Sequence, residues 1–329
     1  MYNKYVLGRP EPLRSSFDAA QIETWILRLL AQVGRIDRNE VARLLANTYG
    51  GYLAMKNNLQ WRAGVERSVP KLINEMVDVG FLETEDQFIR LTLLGQACGR
   101  SSLSFRSAIR LVKTVKEWQR QMAAADLLVI IQSLQESDDI YTPVMKRGQA
   151  ESRWPREAMQ QFGAGLIRCL QKFAADQWAY FGRCKRAMVL RAYIDGVPMQ
   201  AIEHDATTNA YQGQITAGIV RQFADAARFH LSSAFAIVSL LLLENAPSER
   251  DIESLLTRLE FGIPLAAMGL LSLPLLLTRG EYLSLYSTGA RTASDVWNLP
   301  MDSLKQLLSP ARALQLDNLR PNARDASAP

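Results

Sequence analysis

Cysteine and histidine are scarce in this chain: three cysteines and two histidines in 329 residues. Cys98, Cys169 and Cys184 lie far apart, with no CxxC pair. A disulfide scaffold is therefore excluded, and free, mostly buried thiols in a reducing compartment are expected. His204 and His230 cannot complete a Cys/His zinc site at any usual ligand spacing; both read as structural or surface residues. No GxxxxGK(S/T) phosphate loop and no acidic motor box is present. "RGQAES" and "FGRCKR" place glycine near base, but at the wrong spacing and with no strand before them. Two histidines leave little scope for a Ser/His/Asp arrangement. Asp138 and Asp139 are adjacent acids in a polar loop, where solvation explains them better than catalysis. No catalytic residue is assigned, and the chain taken alone does not read as an enzyme.

Long apolar runs are also missing. "LSSAFAIVSLLLL" (231–243) and "LAAMGLLSLPLLL" (265–277) fall short of the roughly 20 residues that span a bilayer, and the second contains Pro274. The first thirteen residues, "MYNKYVLGRPEPL", lack the apolar core of a signal peptide. These runs read as protein core, so no membrane partner and a cytoplasmic location are expected.

What is present is a composition of 48% hydrophobic and 22% charged residues with a formal net charge of +5. That suits a globular protein and is compatible with a nucleic-acid partner. Glycine and proline punctuate helical periodicity almost throughout, and alternating runs are few, so the fold class is mainly α. Residues 1–18 read as an extended strap, since Pro10 and Pro12 block an early helix. Residues 19–98 read as a unit of three helices and a hairpin. The first, "AAQIETWILRLLAQVG", sets Ile22, Trp25, Ile26, Leu29 and Leu30 on one face and stops at Gly34. The second, "IDRNEVARLLANTYGG", has Asp37 as N-cap and Glu40 at capping-box spacing. The third, "WRAGVERSVPKLINEMVDVGF", closes at Gly80. The strands "FLETED" and "QFIRLT" follow, turning near Glu85 and Asp86, and the order suggests a winged helix. Residues 99–245 read as a helical bundle, residues 246–310 as a small domain of short helices, and residues 311–329 as a disordered tail.

Two stretches carry candidate contacts. "GRSSLSFRSAIRLVKTVKEWQRQM" holds six cations against the single acid Glu117, with Arg106, Arg110, Lys113 and Arg120 near one helix face. Such a run is either a solvated face or a strip of phosphate contacts. The long helix expected from about Gln214 to Leu243 has Ile215, Ile219, Ala226 and Leu241 as a buried stripe. Gln214, Arg221 and Arg228 recur at seven residues and share another face, with Phe223 and Phe229 nearby. The two arginines either grip a strand or bridge to acids on neighbouring helices; Asp225 on the same face weakens the positive potential.

The order of "YVLGRPEPL", "LTLLGQACGRSSLSF", "KRAMVLRAYIDG" and "GQITAGIVRQFADAARF", followed by "RLEFGIPLAAMGLLSLPLLLTRGEYLSLYSTGARTASDVW", resembles the C-terminal half of a Ski2-like superfamily 2 DNA helicase. The nearest branch is the archaeal repair-helicase and polymerase theta helicase type. The resemblance spans Tyr5 to about Leu308 and rests on motif order. It implies a winged helix, a ratchet-like helical bundle and a small helix-hairpin-helix-like domain that hold single-stranded or forked DNA. It also implies coupling to RecA-like motor domains lying upstream or on another chain; ATP and magnesium belong to those domains, and no cofactor is expected here. The helix equivalent to the long one lies along the translocating strand in that family. Winged helices usually read duplex DNA with their third helix, which makes Arg62 and Arg67 weak candidates. The sequence departs from the family at the hairpin: the usual glycine falls on Thr278, with Arg279 and Gly280 after it, leaving phosphate capture or simple packing as readings. The rival function is a degenerate helicase tail that docks a partner protein, such as a nuclease, without gripping DNA. A winged-helix regulator leaves most of the chain unexplained.

Overall fold

The computed structural model describes Phe17, residues 19–209, Tyr211 and residues 213–320. Apart from Phe17, the strap expected over 1–18 lies outside the described residues, as does the tail from 321 onward. The fold is mainly α. The chain divides into two compact units, Met1–Ile109 and Arg110–Pro329, with the division inside a helix rather than near Cys98.

The first unit runs α1 (Ile22–Val33), β1 (Arg35–Asp37), α2 (Val41–Ala46), α3 (Tyr49–Asn57), α4 (Trp61–Val79), β2 (Leu82–Glu85), β3 (Phe88–Leu91) and α5 (Leu93–Arg100). The three strands form an antiparallel sheet in the order β1-β3-β2. Ile89 is its centre, paired with Ile36 on one side and Thr84 on the other. α1 and α4 bury Ile26, Leu30, Val69, Ile73 and Met76. They close at Gly34 and Gly80, as the sequence indicates, and Asp86 turns the hairpin at φ 55°.

One expectation fails here. Residues 36–51 do not form a single helix capped by Asp37. Arg35, Ile36 and Asp37 pair with Arg90, Ile89 and Phe88 instead. The Asp37 carboxylate accepts from Asn39 N at 2.9 Å, and Glu40 turns to Arg43. The helix then breaks again: Thr48 Oγ1 donates to Leu45 O (2.7 Å) and accepts from Gly51 N (3.0 Å), which starts α3. A local cap signal lost to a strand partner that lies some fifty residues away in sequence.

α6 (Phe105–Val115) crosses the division. The second unit continues with α7 (Ala124–Ile130), α8 (Gln135–Asp138), α9 (Arg153–Gln171), α10 (Gln177–Ile194), α11 (Met199–Ala206), α12 (Ala217–Leu242) and α13 (Glu249–Phe261). A 3-10 stretch at Leu265–Ser272 leads to α14 (Arg279–Ser287), α15 (Ala293–Trp297), α16 (Met301–Leu307) and α17 (Pro310–Asn318). α12 packs on α7, α10 and α13, and α9 packs on α10. Together with its following 3-10 turn, α12 spans Ala217–Asn245 and is long and apolar enough to cross a membrane by length and composition, with mean hydropathy 1.7. The run 231–243 was too short by itself; the helix extends it through Ala224, Ala226 and Ala227. A third of that window is buried in this fold (33%).

The C-terminal segment has its own core, with Leu270, Tyr282, Leu285, Val296, Leu304 and Leu316 buried. α17 reaches into the stretch expected to be disordered. Arg312 explains its order: it donates to both Glu281 oxygens (3.0 and 3.1 Å) and to Leu276 O (2.7 Å).

The acid assigned to a solvated loop, Asp138, is instead the hub of the second unit. Arg183, fully buried, clasps it with Nε at 2.8 Å and Nη2 at 2.6 Å. Arg110 Nη1 reaches the same carboxylate at 2.9 Å, and Arg186 Nη2 lies 3.8 Å away. Buried Lys185 donates to Pro143 O (2.6 Å) and stands 3.9 Å from buried Glu151. Burial pushes the Lys185 amine down to about 8 and the Arg186 guanidinium down to about 10. It pushes the Cys98 and Cys184 thiols up to about 12, which leaves both unreactive at neutral pH.

Two measurements test this description. Asp138→Ala strands a buried guanidinium, and urea unfolding should show a loss of about 3–5 kcal/mol. The Glu281 carboxyl is held below its ordinary value chiefly by the Arg312 hydrogen bonds. Its contribution is complete above the unfolded value, about 4.3, and drains as pH falls through the lower folded value. Glu281→Gln should therefore reduce stability at neutral pH and flatten the acid limb of a stability-versus-pH curve.

Candidate nucleic-acid interface

Thr216 caps α12, accepting from Ile219 N, and Glu203 receives Ala217 N at 2.5 Å. The buried stripe is Val220, Phe223, Ala224, Ala227, His230, Leu231, Ala234, Ile237 and Val238. This is one residue round from the expected stripe. Ile219, Ala226 and Leu241 are half-buried, and Ile215 is buried ahead of the cap. The heptad spacing fits both stripes; only the neighbouring helices select between them.

Gln214 precedes the cap, so the seven-residue repeat does not carry it onto the face of α12. It is exposed and lines a polar cleft with Glu203, His204, Thr207 and Thr208. Arg221 and Arg228 do share a face of the helix. Arg221 is exposed and forms no ion pair among the described residues. Arg228 is 35% exposed and bridges to Glu260 on α13 at 2.8 Å and to Asp225 at 3.8 Å. The bridging alternative is thus realised for Arg228 and not for Arg221. Phe229 is 64% exposed, with its ring centroid 5.3 Å from that of His230.

Arg279 comes to the same neighbourhood from far along the chain. Its Nε donates to Gly262 O (2.8 Å), and its Nη2 donates to Val197 O (2.7 Å) and Tyr193 O (3.1 Å). The guanidinium lies 4.8 Å from the centre of the Tyr193 ring. Gly262 ends α13 at φ 66°, and a Cβ there would stand 2.4 Å from Tyr193 Cζ and 2.5 Å from Arg279 Nε. Only glycine suits this latch. Burial lowers the Arg279 guanidinium, the nearby Tyr193 hydroxyl opposes that shift, and Arg221 reinforces it. Burial raises the Tyr193 phenol, while Arg279, Arg221 and Arg228 pull it back down. The structure therefore gathers three of the expected cations around Tyr193, a residue the sequence reading passed over. Arg279 itself is turned inward onto carbonyls and is a packing residue. Gly280 lies in the first turn of α14, with open space beside it, and makes no hairpin turn. Thr278 caps that helix in a capping box with Glu281; the T-x-x-E spacing at 278–281 was the available signal.

The expected strip at 106–120 does not assemble. Arg106, in the first unit, is exposed and stands 3.7 Å from Glu23. Arg110 is committed to Asp138 and to Ser133 O (3.1 Å). Lys113 is exposed on α6. α6 ends at Val115, so Arg120 is off the helix altogether. It sits 4.7 Å over the Trp118 ring and 3.3 Å from Asp126. Arg62 pairs with Glu66 at 3.0 Å, and Arg67 donates to Ala63 O. His204 is at the surface beside Asp205, and His230 is buried. Among the described residues no group of three or more His, Cys, Asp or Glu side chains is placed to hold a metal ion.

Compared with known proteins, the chain matches no family model and no curated protein.

Arg279→Ala removes the donor to three carbonyls and should cost about 1–3 kcal/mol of stability in thermal or urea unfolding. Arg221→Ala, which breaks no such bond, should leave the unfolding midpoint unchanged.

Proposed function

We propose that this chain is the non-motor, C-terminal part of a Ski2-like DNA helicase and that α12 holds single-stranded nucleic acid. The observation that carries this reading is the outer face of α12, where an unpaired Arg221 and an exposed Phe229 lie two turns apart on a rigid helix. A guanidinium tracks phosphates and an aromatic ring stacks on any base, so such a face grips a strand without reading its sequence. The β1-β3-β2 sheet with the helices before it supports a winged-helix assignment for residues 19–98. The α7–α13 packing supports a ratchet-like bundle, and the short helices after Phe261 support a small C-terminal domain of helix-hairpin-helix type that has lost its phosphate-binding turn. Strand separation and ATP hydrolysis belong, on this reading, to RecA-like domains acting with the chain.

A second reading is favoured by the Arg228–Glu260 bridge and by the capping role of Thr278. Both commit polar groups to partners within the chain, as in a helicase tail kept as a docking scaffold that does not grip DNA.

Fluorescence anisotropy with a labelled oligothymidylate separates the two. Strand binding should weaken steeply between about 50 and 200 mM salt, and Arg221→Ala should reduce the log–log salt slope by about 0.7, the value for one phosphate contact on a single strand. Phe229→Ala should cost about 1–3 kcal/mol of binding. Binding that ignores salt and both substitutions would leave the scaffold reading standing.

A further inference from the structure

The first unit carries a cavity of about 570 Å³. Its apolar wall includes Phe17, Trp25, Leu29 and Leu45, and among the described residues its charged lining residues are Arg28 and Arg100. Arg28 belongs to α1 and Arg100 to the last turn of α5, two helices that pack together. Arg28 lies 5.0 Å from the centre of the Trp25 ring, and neither guanidinium pairs with a carboxylate among the described residues.

Two hydroxyls in the wall are already committed. Thr48 Oγ1 donates to Leu45 O and accepts from Gly51 N. Ser101 Oγ donates to Cys98 O (2.8 Å) and accepts from Leu103 N (3.2 Å). An apolar side chain against Trp25, Leu29 and Leu45 needs no hydrogen-bond partner, and carboxylates beside it would meet the two guanidiniums.

We propose that this cavity docks an acidic segment of a partner protein, with an apolar side chain against Trp25, Leu29 and Leu45 and neighbouring carboxylates on Arg28 and Arg100. Charge complementarity selects the occupant: among the described residues, the lining contains two cations and no acid. The site stands on the first unit alone and is independent of strand binding at α12.

The test uses the full chain and a fluorescein-labelled peptide in which a Leu-Phe pair is flanked on each side by Asp and Glu. Anisotropy should rise to saturation. The Arg28→Ala, Arg100→Ala double variant, with its fold checked by circular dichroism melting, should bind about tenfold more weakly. A peptide with serines in place of Leu-Phe should bind at least about tenfold more weakly to the wild-type chain. The proposal is overturned if the double variant binds as well as wild type, or if the serine peptide binds as well as the original. It is equally overturned if unlabelled oligothymidylate displaces the peptide and that displacement depends on the two arginines, since the cavity would then be a nucleic-acid site. Because Arg221→Ala leaves this cavity untouched, loss of strand binding and loss of peptide binding are separable.

Discussion

The carboxylate of Asp138 is the point from which the second unit is organised. Arg183 closes on it in a two-pronged pair, and the rest of that guanidinium donates to the carbonyls of Leu170, Lys172 and Phe173. Those carbonyls stand at the C-terminal end of α9, where a helix presents unsatisfied acceptors and partial negative charge. One buried cation thus joins α8, the end of α9 and the middle of α10. Three basic residues on a single turn of α10, Arg183, Lys185 and Arg186, extend the arrangement to segments with little regular structure. Lys185 holds Pro143 and Gly213 through their carbonyls, and Arg186 holds Gln132 and Thr142. Buried loop backbone needs partners for its polar groups, and here long cationic side chains supply them.

Such a network is demanding. Each charge taken out of water loses several kcal/mol of hydration, and the loss is made good only where every donor finds an acceptor. Five donors on Arg183 meet that condition. The consequence reaches the surface: several cations in a mildly basic chain are withdrawn from any encounter with an anion. Arg110, Arg183, Arg186 and Arg279 all point into the fold. The positive surface left on the second unit is therefore concentrated on fewer residues, Arg221 among them, and the reading of α12 as a strand-holding face depends on that sorting.

Local features of the fold were legible because their causes are local. Gly34 and Gly80 end helices, Asp86 turns a hairpin, and the long apolar periodicity of α12 marks a helix. Where two signals competed locally, the fold decided. Asp37 looks like a cap, yet it lies in a strand because β3 offers a hydrogen-bonding edge. The heptad of α12 admits two neighbouring stripes, and the helices packed against it bury Val220, Ala227 and Ala234 rather than Ile219 and Ala226. The stretch past residue 310 has few apolar residues, but Arg312 finds Glu281 and draws α17 onto the C-terminal core.

The sequence by itself determined the mainly helical class, the hairpin, the absence of a cysteine framework and the presence of Arg221 and Arg228 on a common helical face, since these follow from spacing along one element. Tertiary structure alone decided which cations remain outside. Arg110 and Arg221 are the same residue type on helices of similar pattern; one is neutralised by Asp138 and the other meets no carboxylate among the described residues. That difference depends on what lies across from each side chain in space, and charge pairing between distant segments leaves no periodic trace in the order of residues.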